Sequence, residues 1–254
     1  MDPIWLYPVL FLTGMAAGFI DSIAGGGGLM TIPVLLSVLP YSVPDILGTN
    51  KLQASFGSGS ATWHYREAGL VQLRHCWAGI GWTTIGALAG TLLVQNLHGE
   101  LLRLLIPWLL VTIAVYSLLQ PQLGSLDVRP RWKSTPFYIL FGLGIGFYDG
   151  FFGPGTGSFW AMAFVLCLGF NLTKATAHTK VMNLTSNLVS LAVFASGDHV
   201  IYSAGIVMGV GQLLGARVGS KMVIAKGSRF IRPIFITAAL AVTAKLLYQN
   251  YSKK

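Results

Sequence analysis

Charge is what this chain has least of. Lys, Arg, Asp and Glu together make up 10% of its 254 residues, against roughly 25% in a soluble domain. Hydrophobic residues make up 54%, with a mean hydropathy of +0.65. That excludes an ordinary soluble globular protein and leaves an all-α polytopic membrane protein. Cysteine is nearly absent. Cys76 and Cys167 stand alone in or beside apolar segments with no CxxC spacing, which argues against a disulfide framework or a thiolate metal site and leaves packed thiols. Catalytic signatures are missing too: there is no HExxH, no GxSxG and no GxxxxGK[ST]. We therefore expect no enzyme, no metal or other cofactor, and no direct ATP coupling. The first twenty residues, Met1 to Ile20, contain no Lys or Arg. A secretory signal needs a basic start, so this stretch reads as a retained first span. The net charge of +9 does not indicate nucleic acid, because the basic residues concentrate in a few loops, as in membrane proteins.

Glycine, by contrast, is abundant, and it is organised. One segment reads GFIDSIAGGGGLMTIPVLL from Gly18 to Leu36, and another reads GFYDGFFGPGTGSFWAMAFVL from Gly146 to Leu166. Each carries an Asp in an apolar stretch, breaks at glycines and resumes as a short apolar run. The likeness extends further at an offset of 129 residues: Thr49-Asn50-Lys51 answers His178-Thr179-Lys180, Gly86 and Gly90 answer Gly215 and Gly219, and Arg103 answers Arg232. The duplication covers about Gly18–Val115 and Gly146–Ala244. Paired glycine-interrupted segments in two halves are the sequence pointer to a transporter binding site.

The spans are expected over 4–24, 28–39, 47–64, 76–97 and 100–119, then over 136–152, 157–169, 178–196, 204–222 and 229–249. The division is a first transmembrane repeat, 1–120, a cytoplasmic linker, 121–135, and a second transmembrane repeat, 136–254. Pieces 28–39 and 157–169 are too short to cross a bilayer, which takes about 20 residues. The basic loops 65–75, 121–135 and 221–232 belong in the cytoplasm, and the loops 98–100 and 197–203, poor in Lys and Arg, belong outside. Both termini then lie outside, and the repeats have opposite topology, with about five helical pieces each. The tail Lys253-Lys254 runs against this orientation.

The candidate site follows from the breaks. Gly25, Gly26, Gly27 and Gly28, with Gly153, Gly155 and Gly157, free backbone N–H groups at the start of the next helix, where anions are attracted; close helix packing is the plainer reading. Lys51 and Lys180 sit at equivalent places in spans rich in polar residues. They make a positive chamber for an anion, unless they only snorkel to the headgroups. Asn50, Gln53, Asn183 and Asn187 supply hydrogen bonds, Asn183 and Asn187 from one helical face with Lys180 a turn earlier; Ser55, Ser58 and Ser186 are further polar groups there. Asp21 and Asp149 are either proton-coupling carboxylates or braces of the glycine turns, and a carboxylate beside an anion site needs a partner such as Lys51 or Lys180. Arg217 and Lys221 read as snorkelling side chains, and His178 has no counterpart in the first repeat.

The motifs GFIDSIAGGGG with Pro33, GTNKLQASFGS (Gly48–Ser58), DGFFGPGTGSF (Asp149–Phe159) and HTKVMNLTSN (His178–Asn187) resemble the sulfite exporter TauE/SafE family, also called the 4-toluene sulfonate uptake permease family, and within it the YfcA-like subgroup. The resemblance spans essentially the whole chain. It implies a multi-pass permease of the cell membrane, bacterial if the chain is bacterial, for a small anion such as sulfite or an organosulfonate. Its partners are then the anion and membrane lipids, with homo-oligomerisation open. An anion channel and a membrane accessory protein of sulfur metabolism are the rival readings.

Overall fold

The structure is a computed structural model that describes residues 5–97 and 126–227. Within them the chain forms α1 (Leu6–Ala24), α2 (Gly27–Val38), α3 (Val43–Glu67), a 3-10 turn (Leu73–His75), α4 (Trp77–Gln95), α5 (Ser134–Phe151), α6 (Thr156–Leu168), α7 (Leu172–Ser196) and α8 (Tyr202–Lys226), with no strand among the described residues. The expected spans 100–119 and 229–249, the loop 98–100, Arg103 with Arg232, and the tail Lys253-Lys254 lie outside them. Among the described residues two helices have the length and apolar composition to cross a bilayer, over Leu6–Ile23 and Trp77–Gln95.

Two helices start earlier than their apolar runs suggest, α3 at Val43 rather than 47 and α7 at Leu172 rather than 178. Side-chain caps set both starts. Ser42 and Asp45 form a reciprocal capping box at α3, and the Asn171 side chain accepts from the Lys174 N–H at α7, each satisfying a donor that helix geometry leaves orphaned. The added residues include Pro44 and Asp45 in α3 and Thr173, Lys174 and Thr176 in α7, which interrupt the apolar runs, so hydrophobic periodicity does not report these starts. The consequence is depth. Lys51 and Lys180 are each the ninth residue of a 25-residue helix, about 12 Å from its start at 1.5 Å per residue.

The two glycine breaks end α1 and α5. Gly25 turns left-handed at φ +78°, and its N–H closes α1 on the Asp21 carbonyl. The second break needs two left-handed glycines, Gly153 at φ +97° and Gly155 at φ +80°, and the Tyr148 hydroxyl braces it by donating to the Pro154 carbonyl at 2.6 Å. Residues with a Cβ avoid this region at a cost of roughly 1–2 kcal/mol.

α3 and α7 cross in the centre of the bundle. Around them α1 packs along α8 and α4 along α5, the most extensive helix contacts among the described residues. Small residues allow this closeness: Gly14 and Gly18 lie on the backbone of Met208 and Gln212, and Gly142 and Gly146 lie on Trp82 and Thr83. Gly86, Gly90, Gly215 and Gly219 do the same against the facing helix, the packing expected when backbones approach within a membrane.

The two ends of the bundle differ. At one end Tyr65, Val71, Cys76, Phe137, Leu168, Leu172 and Val223 meet in a single apolar cluster, which gathers there the described parts of all three basic loops and also Lys174. The other end holds 38–43, 95–97 and 197–202, tied by His199 Nδ1, 2.8 Å from Asp45 Oδ1, and by the Gln95 amide on the Val193 carbonyl. No Lys or Arg lies in those segments. Exposed Trp63, Trp77 and Trp132 ring the basic end, and exposed Trp5, Tyr41 and Tyr202 ring the other, as in the aromatic belts of membrane proteins. Between the rings the outward surface is apolar (Leu12, Ile85, Leu140, Val218), while Thr83, Thr91, Ser190 and Gln212 are buried.

Candidate functional site

The glycine breaks meet inside the bundle. A methyl placed on Gly25 would come within 2.5 Å of the Gly157 Cα, and one on Gly28 within 3.2 Å of the Pro154 Cα. Gly28 and Gly157 occupy equivalent repeat positions, and each is the second residue of its helix, where no carbonyl lies one turn back to take its N–H.

Both lysines are interior. The Lys51 side chain is 2% exposed and that of Lys180 is 0%. The snorkelling alternative fails, because neither ammonium reaches an end of the bundle. Each finds a carboxylate of the other repeat: Lys51 Nζ lies 2.7 Å from Asp149 Oδ1, and Lys180 Nζ lies 2.9 Å from Asp21 Oδ2. The pairing is reciprocal, since Lys51 answers Lys180 and Asp21 answers Asp149. Lys51 also donates to the Asp149 backbone carbonyl, and the Ser186 hydroxyl donates to Asp149 Oδ2. Asp21 does brace its turn, because Oδ1 accepts the Gly27 N–H at 3.2 Å. The space left by Gly153 is filled by the second pair: a methyl there would stand 2.9 Å from Lys51 Nζ and 2.8 Å from Asp149 Oδ1.

Between the breaks lies a cavity of about 30 Å³, about two waters' worth of space. Asp21, Gly25, Gly28, Asn50, Lys51, Asp149, Gly153, Gly155, Gly157, Asn183 and Asn187 all line it. Gly26, Gly27, Gln53 and Lys180 stand behind this wall. Gln53 donates to Asn50 Oδ1 at 2.8 Å, Thr31 donates to the same oxygen at 2.6 Å, and so α2 fixes the Asn50 amide. Asn187 Nδ2 lies 3.4 Å from Ser58 Oγ, its own repeat counterpart. The Ser55 and Ser58 hydroxyls donate to carbonyls one turn back in α3.

Three lining residues escape the sequence reading: Ala54, Thr156 and Gln212. Gln212 is 1% exposed and its Oε1 has no hydrogen-bond partner; Asn183 Oδ1 is in the same condition. Among the described residues these two amide oxygens beside the cavity accept no hydrogen bond, the condition a water or another donor relieves. Gln212 is hard to find because its repeat counterpart is Thr83, which breaks the symmetry. Its one signal is a lone amide on the glycine-rich face of α8. Arg217 and Lys221 are exposed on the far side of α8, and His178 Nδ1 lies 2.9 Å from the Lys174 carbonyl. No group of three or more His, Cys, Asp or Glu is placed to hold a metal among the described residues, and Cys76 and Cys167 are free thiols.

The family model described as "Sulfite exporter TauE/SafE" matches residues 10–246. The chain is similar to the "Probable membrane transporter protein YfcA" of Escherichia coli strain K12, 48% identical over 98% of this chain and 92% of the relative. It is 46% identical to a "Probable membrane transporter protein" of Haemophilus influenzae, over 96% of each chain. A more distant relative, the "Probable membrane transporter protein YdhB" of Bacillus subtilis, is 25% identical over 89% of this chain and 94% of its own length. No solved structure matches the chain.

Proposed function

Because this chain belongs to the sulfite exporter TauE/SafE family of membrane transporters, we propose that it is a multi-pass secondary transporter of the cell membrane. It moves a small sulfur oxyanion, sulfite or an organosulfonate, by alternating access. The observation that carries the reading is the reciprocal site: two glycine breaks in contact, each beside a buried lysine paired to the other repeat's aspartate.

Two inverted repeats, 1–120 and 136–254 about the linker 121–135, account for that reciprocity. Three features support them. The starts of α3 and α7 lie at opposite ends of the bundle; α1 packs on α8 as α5 packs on α4; and Ser58 touches its counterpart Asn187. The basic end is then the cytoplasmic one.

The chemistry suits an oxyanion. Helix N-termini at Gly28 and Gly157 present N–H donors, Asn50, Asn183, Asn187 and Gln212 present amides, and Lys51 and Lys180 present ammonium groups; anionic oxygens accept from all three. The site's own charges sum to zero, two ammonium groups against two carboxylates, so an anion binds by drawing an ammonium away from its carboxylate. A cavity for two waters is smaller than an oxyanion of four heavy atoms. Binding therefore requires the repeats to part at one end.

Proteoliposomes test this. Radiolabelled sulfite or a short sulfonate should enter with saturable kinetics, and an excess of unlabelled anion inside should accelerate exchange. Flux that rises in proportion to concentration, without counterflow, identifies a channel and ends the carrier reading.

A further inference from the structure

The two ion pairs are chemically alike and differently housed. Asp149 is held at both oxygens, Oδ1 by Lys51 and Oδ2 by the Ser186 hydroxyl, and its side chain is 5% exposed. Asp21 has Lys180 on Oδ2, only a long 3.2 Å bond from Gly27 on Oδ1, and a side chain 17% exposed toward the cavity. The difference traces to one position. Where the second repeat has Ser186, the first has Gly57, which offers no hydroxyl. Gln212 lies in that space, its Cγ 2.6 Å from where a Gly57 methyl would stand, and its Oε1 is unpartnered. Its counterpart Thr83 points away, its hydroxyl 3.6 Å from Met182 Sδ.

Charge balance gives this asymmetry a use. Lys51, Lys180, Asp21 and Asp149 sum to zero, and a bound monoanion would leave one uncompensated negative charge in a low-dielectric interior, a heavily penalised state. A proton arriving with the anion restores neutrality. We infer that Asp21 carries that proton, while Asp149 stays ionised and structural. This deepens the anion-transport reading and rests on it. At the open end the Asp21 carboxylate takes one proton from hydronium and releases Lys180. The Lys180 ammonium turns to an oxygen of the anion. At the other end the anion and the proton both leave, and the Asp21–Lys180 pair re-forms. One proton and one monoanion cross together, with no net charge moved.

The titratable surroundings of Asp21 are few. Lys180 comes from α7, α5 brings Asp149 to the same cavity, and α3 brings Lys51 there and also Tyr65, whose hydroxyl is committed to the Ser22 carbonyl at 2.7 Å. α2 has no titratable residue, α6 has only Cys167 at its far end, and on α8 Tyr202, Arg217, Lys221 and Lys226 are exposed.

Infrared difference spectroscopy of the reconstituted protein reads the carboxyl group without any ligand. Acidification should raise, besides the bands of the exposed carboxyl groups, one band in wild type and in Lys51→Met/Asp149→Asn that is missing from the spectrum of Asp21→Asn. If Asp21→Asn does not yield a monodisperse protein, Lys180→Met/Asp21→Asn, which removes both charges together, serves in its place. A spectrum unchanged by the loss of Asp21, or the loss of that one band in Lys51→Met/Asp149→Asn, overturns the assignment. Proteoliposomes supply the second arm, with methanesulfonate, which stays fully ionised and carries no proton of its own. Its uptake should acidify the lumen one proton per anion and be indifferent to membrane potential. Methanesulfonate uptake with a constant lumenal pH overturns the coupling and leaves the transport reading intact. If no anion of any kind binds or crosses, the transport reading fails, and the coupling built on it with it.

Discussion

Lys51→Ala should lose about 3–5 kcal/mol of stability, the usual cost of stranding one member of a buried ion pair. The stranded group is Asp149, left with the Ser186 hydroxyl alone in an interior that excludes water. Most of that loss should return in Lys51→Met/Asp149→Asn, which removes both charges, because exchanging a buried pair for neutral groups of similar volume is often nearly neutral. Lys180→Ala should be damaging but milder, since Asp21 reaches the cavity. Arg217→Ala, exposed on the outer face of α8, should stay within about 0.5 kcal/mol of wild type. Unfolding in detergent, followed by fluorescence from the seven tryptophans, measures all four. Equal small losses for Lys51→Ala and Arg217→Ala would mean that the ion pair does not exist in the protein.

The second large effect belongs to the contact between the breaks. Gly25→Ala should fail to assemble or lose about 3 kcal/mol or more: holding a non-glycine residue at φ +78° costs on the order of 1–3 kcal/mol, and the new methyl meets the Gly157 backbone at 2.5 Å. Gly157→Ala meets Gly25 from the other side without the positive φ, so it isolates the clash. Gly81 and Gly144 are the controls. Nothing lies within 4 Å of a methyl on either, and both are inside helices, where Gly→Ala stabilises by roughly 0.5–1 kcal/mol. A melting series in which all four alanines behave alike would contradict the contact.

Much of this was legible in the residues, for identifiable reasons. The repeat is written in the glycines and in Lys51 and Lys180, and a duplicated site must use each twice, so the constellation around 25–28 and 153–157 could be assembled from offsets alone. Helix starts were less legible. The first turns of α3 and α7 are broken by Pro44 and Asp45 and by Thr173 and Lys174, and what begins them is a cap at Ser42 or Asn171, a local hydrogen bond that leaves no trace in an apolar run. That misplacement hid the depth of Lys51, which looks near a helix end until the extra turn is counted. The cross-repeat choice of partner was also out of reach. Asp21 lies nearer Lys51 in sequence than Lys180, yet the packing of α1 against α8 and of α4 against α5 brings each carboxylate to the other repeat's lysine. Gln212 was missed because symmetry was the guide and Gln212 violates it.

The central claim is that the reciprocal site binds an anion, and a thermal-shift titration of the purified protein tests it most directly. The panel is sulfite, thiosulfate, methanesulfonate, sulfoacetate, taurine and their carboxylate analogues, applied to wild type, Lys180→Met/Asp21→Asn and Arg217→Ala. At least one sulfur oxyanion should stabilise the wild type saturably. Losing the ammonium contact, worth about 1.5–3 kcal/mol, should weaken binding roughly tenfold to more than a hundredfold in the double variant, with Arg217→Ala unchanged. Equal stabilisation of all three proteins, or of none by any anion, would contradict the account.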